Sequence, residues 1–147
     1  RDVNEREIPR MIAFAKRSET ILQLLELEPV NVGDEYYERY FCSLDAVEGD
    51  LKARALEVKT RGDMQNRRVY FLLGVKVEVV HPIENTEFCA RCTRLRLTSD
   101  GRLKPCLMRD DNLVDVLTPL RKGAGDEELK GLFVEAVKRR EPYYKAS

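Results

Sequence analysis

The sequence lacks an excess of charge of either sign, because 26 lysine and arginine residues balance 26 aspartate and glutamate residues over its 147 positions. No global electric field therefore favours a nucleic acid or a membrane surface as a partner. The sequence also lacks a signal peptide and any apolar run of the roughly 18 residues that a membrane span needs. We expect a protein without membrane or nucleic-acid partners, located in the cytoplasm.

Cysteine and histidine are scarce, with four cysteines and a single histidine. Clustered cysteines without a secretion signal indicate metal binding in a reducing compartment. The chain begins with Arg1 rather than methionine, which suggests a piece of a longer protein. It contains no repeat, low-complexity segment or clear linker, so we expect one domain over residues 1–147.

The hydrophobic periodicity predicts a chain of mixed α and β structure. Apolar residues recur every three or four positions in some segments, as in helices, and at every second position in others, as in strands. The apolar run 20–27 is typical of a largely buried strand. A loop is expected over 28–35, and a loop, a strand and a turn at Asp100-Gly101 are expected after residue 80. Helices are expected from about residue 8, over 43–56, over 113–120 and over 126–139, and strands over 20–27, 68–73 and 75–80.

The strongest chemical signal is the arrangement of Cys89, Cys92 and Cys106. A C-x-x-C spacing lets two thiolates reach one metal from a tight turn, and the hairpin turn at Asp100-Gly101 returns Cys106 to the neighbourhood of Cys92. Three thiolates leave one coordination position open, as catalytic metal sites do. We therefore expect a 4Fe–4S cluster with an open iron site.

Two other interpretations of the cysteines remain open. A structural zinc ion usually has four protein ligands, and His81 or Cys42 would have to supply the fourth. A single histidine is more often a core or surface residue, and Cys42 beside Phe41 and Leu44 is typical of a small core hydrophobe. The clustered thiols could also be structural or form a disulfide.

A basic strand follows Cys92, in which Arg94 and Arg96 alternate with Leu95 and Leu97. With a period of two, the arginines share one face and the leucines share the other. Two guanidiniums on one face form a forked anion site that suits phosphate. The alternative is an exposed strand surface whose positive charges pair with Glu or Asp elsewhere in the chain. The basic run 138–140 is expected to be a solvated helix end.

The segment FCARCTRLRLTSDGRLKPCL resembles the pattern F-C-x-x-C-N-R-L-R-L-T-x-D-G-x-L-x-x-C-L of the GTP 3′,8-cyclases, which are radical-SAM enzymes of molybdenum cofactor biosynthesis. The likeness extends more weakly over most of the chain. The family fold implies an incomplete β/α barrel, with its last strands and helices in about residues 1–80 and a cluster and substrate region in about 81–147. The matching residues are Phe88, Cys89, Cys92, Arg94, Leu95, Arg96, Leu97, Thr98, Asp100, Gly101, Leu103, Cys106 and Leu107.

The resemblance implies conversion of GTP to a cyclic pyranopterin precursor. In the family, an N-terminal radical-SAM domain uses a second 4Fe–4S cluster to cleave S-adenosylmethionine. The C-terminal cluster, on the cysteines that match Cys89, Cys92 and Cys106, binds the guanine of GTP, while arginines matching Arg94 and Arg96 hold the substrate. The C-x-x-x-C-x-x-C motif that holds the S-adenosylmethionine cluster is absent from this chain. We therefore expect no catalytic residue here and no activity of this part alone.

Departures from the family pattern leave some contacts open. Thr93 stands where the family usually has asparagine, Gln23 stands where many bacterial members have arginine, and the glycine-rich tail is missing. The expected partners are GTP and the N-terminal radical-SAM domain, and an exposed apolar surface of a partial barrel would drive homodimerisation. The alternatives are a zinc-stabilised interaction module and the auxiliary-cluster domain of another radical-SAM enzyme.

Overall fold

The computed structural model describes residues 1–83 and 85–140 and confirms a mixed α/β architecture with a four-stranded and a three-stranded sheet. The chain divides into two compact units, the first over Arg1–Arg91 and the second from Cys92 onward. No helix in these described ranges combines the length and apolar character needed to cross a membrane. The incomplete barrel stays a prediction.

The first unit is built on a mixed sheet with the strand order β1-β4-β3-β2. Strand β1 runs parallel to β4, and the other neighbouring pairs are antiparallel. After a 3-10 helix at Glu5–Glu7, its elements are α1 (Ile8–Arg17), β1 (Ile21–Leu25), α2 (Asp34–Tyr40), α3 (Asp45–Arg54), β2 (Glu57–Arg61), β3 (Arg67–Leu72), β4 (Val75–Val80) and α4 (Thr86–Ala90). The helices expected near residue 8 and over 43–56, and the strands expected over 68–73 and 75–80, are confirmed.

The core of the first unit lies on one face of this sheet. Side chains alternate between the two faces of a strand, so every second residue of β1, β3 and β4 points to the same side. Ile8 and Ile12 of α1 and Val47 of α3 pack against that side. The buried members of the core are Leu24, Leu44, Leu51, Tyr70, Val77 and Val79.

The strand expected over 20–27 is confirmed as β1, but the expectation that it is largely buried is wrong. Strand β1 lies at the edge of the sheet, where Leu24 is buried but Ile21 and Leu25 are 57% and 53% exposed. The apolar run looked like a central strand because both of its faces are apolar. Only the face of Leu24 packs against the core.

Three elements of the first unit were not expected. Helix α2 begins inside the predicted loop 28–35, and α4 lies in the segment that was expected to be a loop. Strand β2 is exposed along its whole length, so it lacks the apolar alternation by which a strand is recognised. It is held by backbone pairing with β3 rather than by buried side chains.

The second unit has short strands and a small core. The antiparallel sheet has the order β5-β6-β7, and Leu95, Val116 and Leu132 pack against a buried cluster of Leu103, Val114 and Ala136. The final helix expected over 126–139 is confirmed, but the first part of the helix expected over 113–120 is a strand. The elements are β5 (Arg96–Leu97), β6 (Arg102–Lys104), β7 (Val114–Asp115), α5 (Leu117–Arg121) and α6 (Asp126–Lys138).

The hairpin turn at Asp100-Gly101 is confirmed. Leu97 pairs with Leu103, and the backbone N–H of Thr98 donates to the carbonyl of Arg102 at 2.9 Å, so the loop spans residues 99–101. Gly101 has a φ of +78°, and a Cβ at this position would lie 2.4 Å from the Cβ of Leu117. Both the left-handed backbone and the close approach require glycine here.

Candidate functional site

The three predicted cysteine ligands are half-buried thiols. Cys89 lies in α4 of the first unit, and Cys92 and Cys106 lie in loops of the second unit. Among residues 1–83 and 85–140, no three histidine, cysteine, aspartate or glutamate side chains are grouped so as to hold a metal ion. A set of three thiols nevertheless has the donor chemistry of an iron–sulfur site. The convergence of these thiols on one cluster therefore stays a prediction.

Helix α4, which carries Cys89, is fixed at its start by Asn85. The Asn85 side-chain oxygen accepts a hydrogen bond from the backbone N–H of Phe88 at 3.0 Å, which caps the helix. The Asn85 amide donates to the carbonyl of His81 at 3.0 Å and ties this cap to the end of β4. The position of Cys89 in the first unit is therefore set by a local cap.

The backbone around Thr93 is held by Arg140, which follows α6. The Arg140 guanidinium donates to the carbonyls of both Cys92 and Arg94. One planar fork thus fixes the chain on either side of Thr93. The expectation that the basic run 138–140 is only a solvated helix end is wrong for Arg140, and no sequence pattern signals this long-range contact.

The two predicted substrate arginines differ in their surroundings. Arg94 precedes β5 and is exposed, whereas Arg96 lies in β5 and is half-buried. The leucines that alternate with them do not share one environment, since Leu95 packs against the core and Leu97 is 66% exposed. Strand β5 has two residues at a sheet edge, which is too short to bury a whole face.

Arg96 faces another cation across the sheet. It pairs in register with Lys104 of β6, whose amine lies 2.6 Å from the carboxylate of Asp110. Like charges directly opposite one another on neighbouring strands are destabilising. Asp110 already compensates the charge of Lys104, and an anion bound beside Arg96 would compensate the second cation of the pair.

The turn carboxylate of Asp100 has a structural role. The Thr98 hydroxyl donates to it at 2.5 Å, and the Nε of Arg102 lies 3.0 Å away. The bond from Thr98 and the nearby charge of Arg102 lower the pKa of Asp100, which favours its ionised form. This motif aspartate therefore stabilises the turn.

A polar cluster that the sequence analysis missed lies where β1 and β4 end. Glu26 directly follows β1 and His81 directly follows β4, and because these strands are parallel, both side chains lie at the same edge of the sheet. The Nδ1 of His81 is 2.9 Å from Glu26, and its Nε2 is 3.1 Å from Glu48 of α3. The carboxyl ends of parallel strands are where α/β proteins place their functional residues, so polar residues after predicted strands were the available signal.

The same cluster continues into β3. The Tyr70 hydroxyl donates to Glu48 at 2.5 Å, and the guanidinium of Arg68 lies 3.6 Å from Glu48. Burial and the bond to Glu48 raise the pKa of Tyr70 to about 12. We call Glu26, Glu48, Arg68, Tyr70 and His81 the carboxyl-edge cluster.

This arrangement bears on the zinc alternative. Both ring nitrogens of His81 contact carboxylates, so neither is turned to a thiol-bound metal. Cys42 is half-buried between α2 and α3, and its Sγ lies 3.7 Å from the carbonyl of Ser43. The structure thus gives neither candidate the surroundings of a fourth zinc ligand.

A cavity of about 580 Å³ opens beside the carboxyl-edge cluster in the first unit. This volume lies in the range of small-molecule sites. Gln65 and Asn66, in the turn between β2 and β3, have φ values of +62° and +54°. The Arg67 N–H donates to the Met64 carbonyl at 3.3 Å, so this is the two-residue turn with two left-handed residues that commonly joins antiparallel strands. The lining residues include Glu26, Glu48, Gln65, Asn66, Arg67, Arg68, His81 and Phe88.

The fold and the motif together define a mixed α/β protein whose second unit carries cysteines and arginines side by side along a hairpin. Comparison with known families then identifies the family. The chain belongs to the Molybdenum Cofactor Synthesis C family, whose profile matches residues 20–146.

Relatives with similar sequences are described as "Probable GTP 3',8-cyclase". The protein of Methanocaldococcus jannaschii is 47% identical over 143 residues, which cover 97% of this chain and 46% of the relative. The protein of Methanothermobacter thermautotrophicus is 45% identical, and the match covers 98% of this chain and 47% of the relative. The protein of Thermococcus kodakarensis is 46% identical, and the match covers 97% of this chain and 48% of the relative. The chain therefore spans about half the length of these relatives. No solved structure matches it.

Proposed function

We propose that this chain is the substrate-binding C-terminal part of a GTP 3′,8-cyclase, a lyase that converts GTP to a cyclic pyranopterin precursor. The observation that carries the proposal is the complete cysteine–arginine motif in a member of the Molybdenum Cofactor Synthesis C family. The names of the relatives support the same activity.

The proposed metal group is a 4Fe–4S cluster on Cys89, Cys92 and Cys106. When bound, it supplies an open iron position for a donor atom of the guanine. The small core of the second unit supports a metal there, because units of about this size commonly need a metal or a disulfide in addition to hydrophobic burial. Arg140 contributes by fixing the carbonyls of Cys92 and Arg94.

Arg94 and Arg96 are the proposed GTP ligands. Arg96 and Lys104 lie in register on the hairpin, and Asp110 pairs with Lys104, so an anion beside Arg96 would compensate the other cation. These residues would neutralise substrate charge and fix its position, so their contribution is orientation rather than acid–base chemistry. Thr93, in place of the usual asparagine, is exposed between two carbonyls that Arg140 holds.

The rest of the reaction belongs to an N-terminal radical-SAM domain with its own 4Fe–4S cluster and S-adenosylmethionine. We assign no catalytic residue to this chain, and we expect it to be inactive by itself. Because both clusters need reduced thiols, the cytoplasm is the proposed location. A homodimer is a further expectation, since large side chains such as Phe133 and Val137 are about half exposed.

The test is a metal analysis of protein prepared without oxygen. We expect a brown protein with about four irons and four sulfides per chain. Cys106→Ser should lose this iron, whereas Cys42→Ser, which changes the cysteine outside the motif, should retain it. A colourless protein with one zinc per chain would contradict the cluster.

Two further measurements separate the alternatives. His81→Ala should keep its iron, whereas a zinc module that uses His81 would lose its metal. Binding of GTP that weakens strongly in Arg96→Gln supports the cyclase, and an iron-loaded protein without affinity for GTP would indicate another radical-SAM enzyme.

A further inference from the structure

The face of the first sheet opposite the hydrophobic core carries a buried carboxylate. Glu78 lies in the middle of β4 and is 3% exposed. It alternates with Val77 and Val79, which point into the core on the other side. A carboxylate is rarely buried this completely unless donors surround it.

Donors from all three other strands converge on this carboxylate. The Gln23 amide of β1 donates to it, the Arg61 guanidinium of β2 lies 3.1 Å away, and that of Arg67 of β3 lies 3.5 Å away. The strand register explains the arrangement, because Gln23 is directly opposite Glu78 and Arg61 is directly opposite Arg67. We call Gln23, Arg61, Arg67 and Glu78 the Glu78 cluster.

The charges of the Glu78 cluster do not balance. One carboxylate faces two guanidiniums, so these three side chains together carry a net charge of +1. In the carboxyl-edge cluster, by contrast, the two carboxylates of Glu26 and Glu48 face Arg68 and the ring nitrogens of His81. A surplus charge beside a buried group is unfavourable unless a counter-ion or solvent reaches it. The Glu78 cluster is therefore suited to an anion.

The two arginines are also placed to meet a ligand. The Arg67 side chain is 10% exposed, and its Nε is buried with no hydrogen-bond acceptor among the residues that the structure describes. The Arg61 side chain is 43% exposed and so remains accessible. An oxyanion at this position would accept from Arg67 and reach Arg61, as guanidiniums commonly bind phosphate.

The surroundings hold Arg67 in place. Its guanidinium donates to the Gln65 side chain at 2.8 Å and lies 5.8 Å from the centre of the Phe88 ring. Arg67, Gln65 and Phe88 all line the cavity of about 580 Å³ in this unit. The turn at Gln65 and Asn66 thus places the Arg67 guanidinium at the wall of a cavity whose volume lies in the range of small-molecule sites.

We propose that Arg61 and Arg67, positioned by Glu78 and Gln23, form a phosphate-binding subsite for the nucleotide substrate. The identity of that nucleotide as GTP rests on the proposed function. Arg61 and Arg67 contact the phosphate oxygens, and Glu78 acts through the two arginines as a positioning residue. Free polyphosphate shares this chemistry, so the test includes it.

The test compares GTP with guanosine, which has the same base and ribose but no phosphate. Equilibrium dialysis of anaerobically prepared protein should show that Arg67→Gln and Arg61→Gln each raise the Kd for GTP about ten- to a hundredfold, as expected for a lost charge-assisted hydrogen bond. The Kd for guanosine should stay the same. Arg54→Gln is the matched control, because Arg54 lies on α3 and pairs with Asp50 away from the Glu78 cluster.

Arg67→Gln leaves Glu78 with fewer donors and so risks misfolding. The double variant Arg67→Gln/Glu78→Gln removes both charges and should fold, as judged by its circular dichroism, while still binding GTP weakly. Arg67→Lys keeps the positive charge but lacks the planar guanidinium, and it should lose less affinity for GTP than Arg67→Gln.

Equal losses for GTP and guanosine would overturn the subsite, because they would show that the arginines act on the base or the fold. Unchanged GTP affinity in both single variants would overturn it too. If the unaltered protein binds neither compound, the proposed GTP function fails. The binding of inorganic tripolyphosphate then tests the phosphate subsite separately. Tripolyphosphate binding that Arg67→Gln abolishes would retain the subsite, and no tripolyphosphate binding would reject it.

Discussion

The two units of this chain are stabilised by different kinds of interaction. The first has a four-stranded sheet whose inner face packs against α1 and α3, with Leu51 and Val77 fully buried. The second has strands of two or three residues, and its buried core consists of Leu103, Val114 and Ala136. Hydrophobic burial therefore specifies the first unit, whereas turns, long-range guanidinium contacts and, in our proposal, a metal specify the second.

The units also differ in how they treat charge. In the first unit, the buried carboxylates contact basic side chains of the same unit. Glu26 contacts His81, and Glu78 contacts Arg61 and Arg67. The second places Arg96 opposite Lys104 and leaves Arg94 exposed. Local conflicts of this kind are expected where a protein binds something, since natural sequences are otherwise locally consistent. The contrast supports the proposed role of Arg94 and Arg96 as GTP ligands, alongside the phosphate subsite proposed on Arg61 and Arg67.

The sharpest way to break this comparison is to remove the proposed cluster. Cys106→Ser should loosen the second unit by several kcal/mol, because the binding free energy of a structural metal is also folding free energy. Hydrogen exchange measured by mass spectrometry should show faster exchange in β6 and β7 and unchanged exchange in β3 and β4.

Cys42→Ser is the matched control for this change and should leave the exchange of both units unaltered. Equal loss of protection in the two sheets would show that they unfold together, and unchanged protection in β6 would show that the second unit does not depend on a metal.

The second prediction concerns the core of the first unit. Leu51→Ala should lower the free energy of unfolding of this unit by about 3 kcal/mol, because Leu51 is fully buried and its truncation leaves a cavity. Urea unfolding followed by circular dichroism measures the change. Leu56→Ala, at a side chain that is 76% exposed, should change stability by less than about 0.5 kcal/mol. Similar losses in the two variants would refute the assignment of the core.

The elements that the sequence predicts correctly are those whose signals are local. Helix α1 with its proline in the first turn, the alternating strand β4 and the amphipathic α6 follow from periodicity alone. The turn at Asp100-Gly101 follows from its residue types. The cysteine–arginine motif likewise lies in one continuous segment, so a resemblance to a known pattern can reveal it.

The features that the sequence does not reveal depend on which elements meet. Nothing local shows that β1 is an edge strand, that Arg140 reaches the carbonyls of Cys92 and Arg94, or that Glu78 gathers donors from three strands. Each of these contacts joins residues that are far apart in the chain. Gln23 stands where many bacterial members of the family have arginine. Its contact with Glu78 follows from the strand register, which places the two residues opposite each other.

The smallest predicted effect tests whether the carboxyl-edge cluster belongs to the rigid part of the first unit. Burial and the bond to Glu48 raise the pKa of Tyr70 from 10.0 to about 12, so folding favours its neutral form. A raised pKa contributes stability that is fully present below pH 10 and is lost as the pH rises through about 12. Tyr70→Phe should therefore cost about 1 kcal/mol at neutral pH, the usual value of one hydrogen bond, and should remove this alkaline loss.

An absorbance titration of tyrosinate provides the direct measurement, because Tyr70→Phe should abolish the component that ionises last. Tyr36→Phe, at a side chain that is 50% exposed, should leave that component in place. If all tyrosines ionise together near pH 10, Tyr70 is not held by Glu48, and the carboxyl-edge cluster is looser than the core beside it. If the late component persists without iron, the first unit keeps its polar edge when the second has lost its metal, and the two units are then ordered independently.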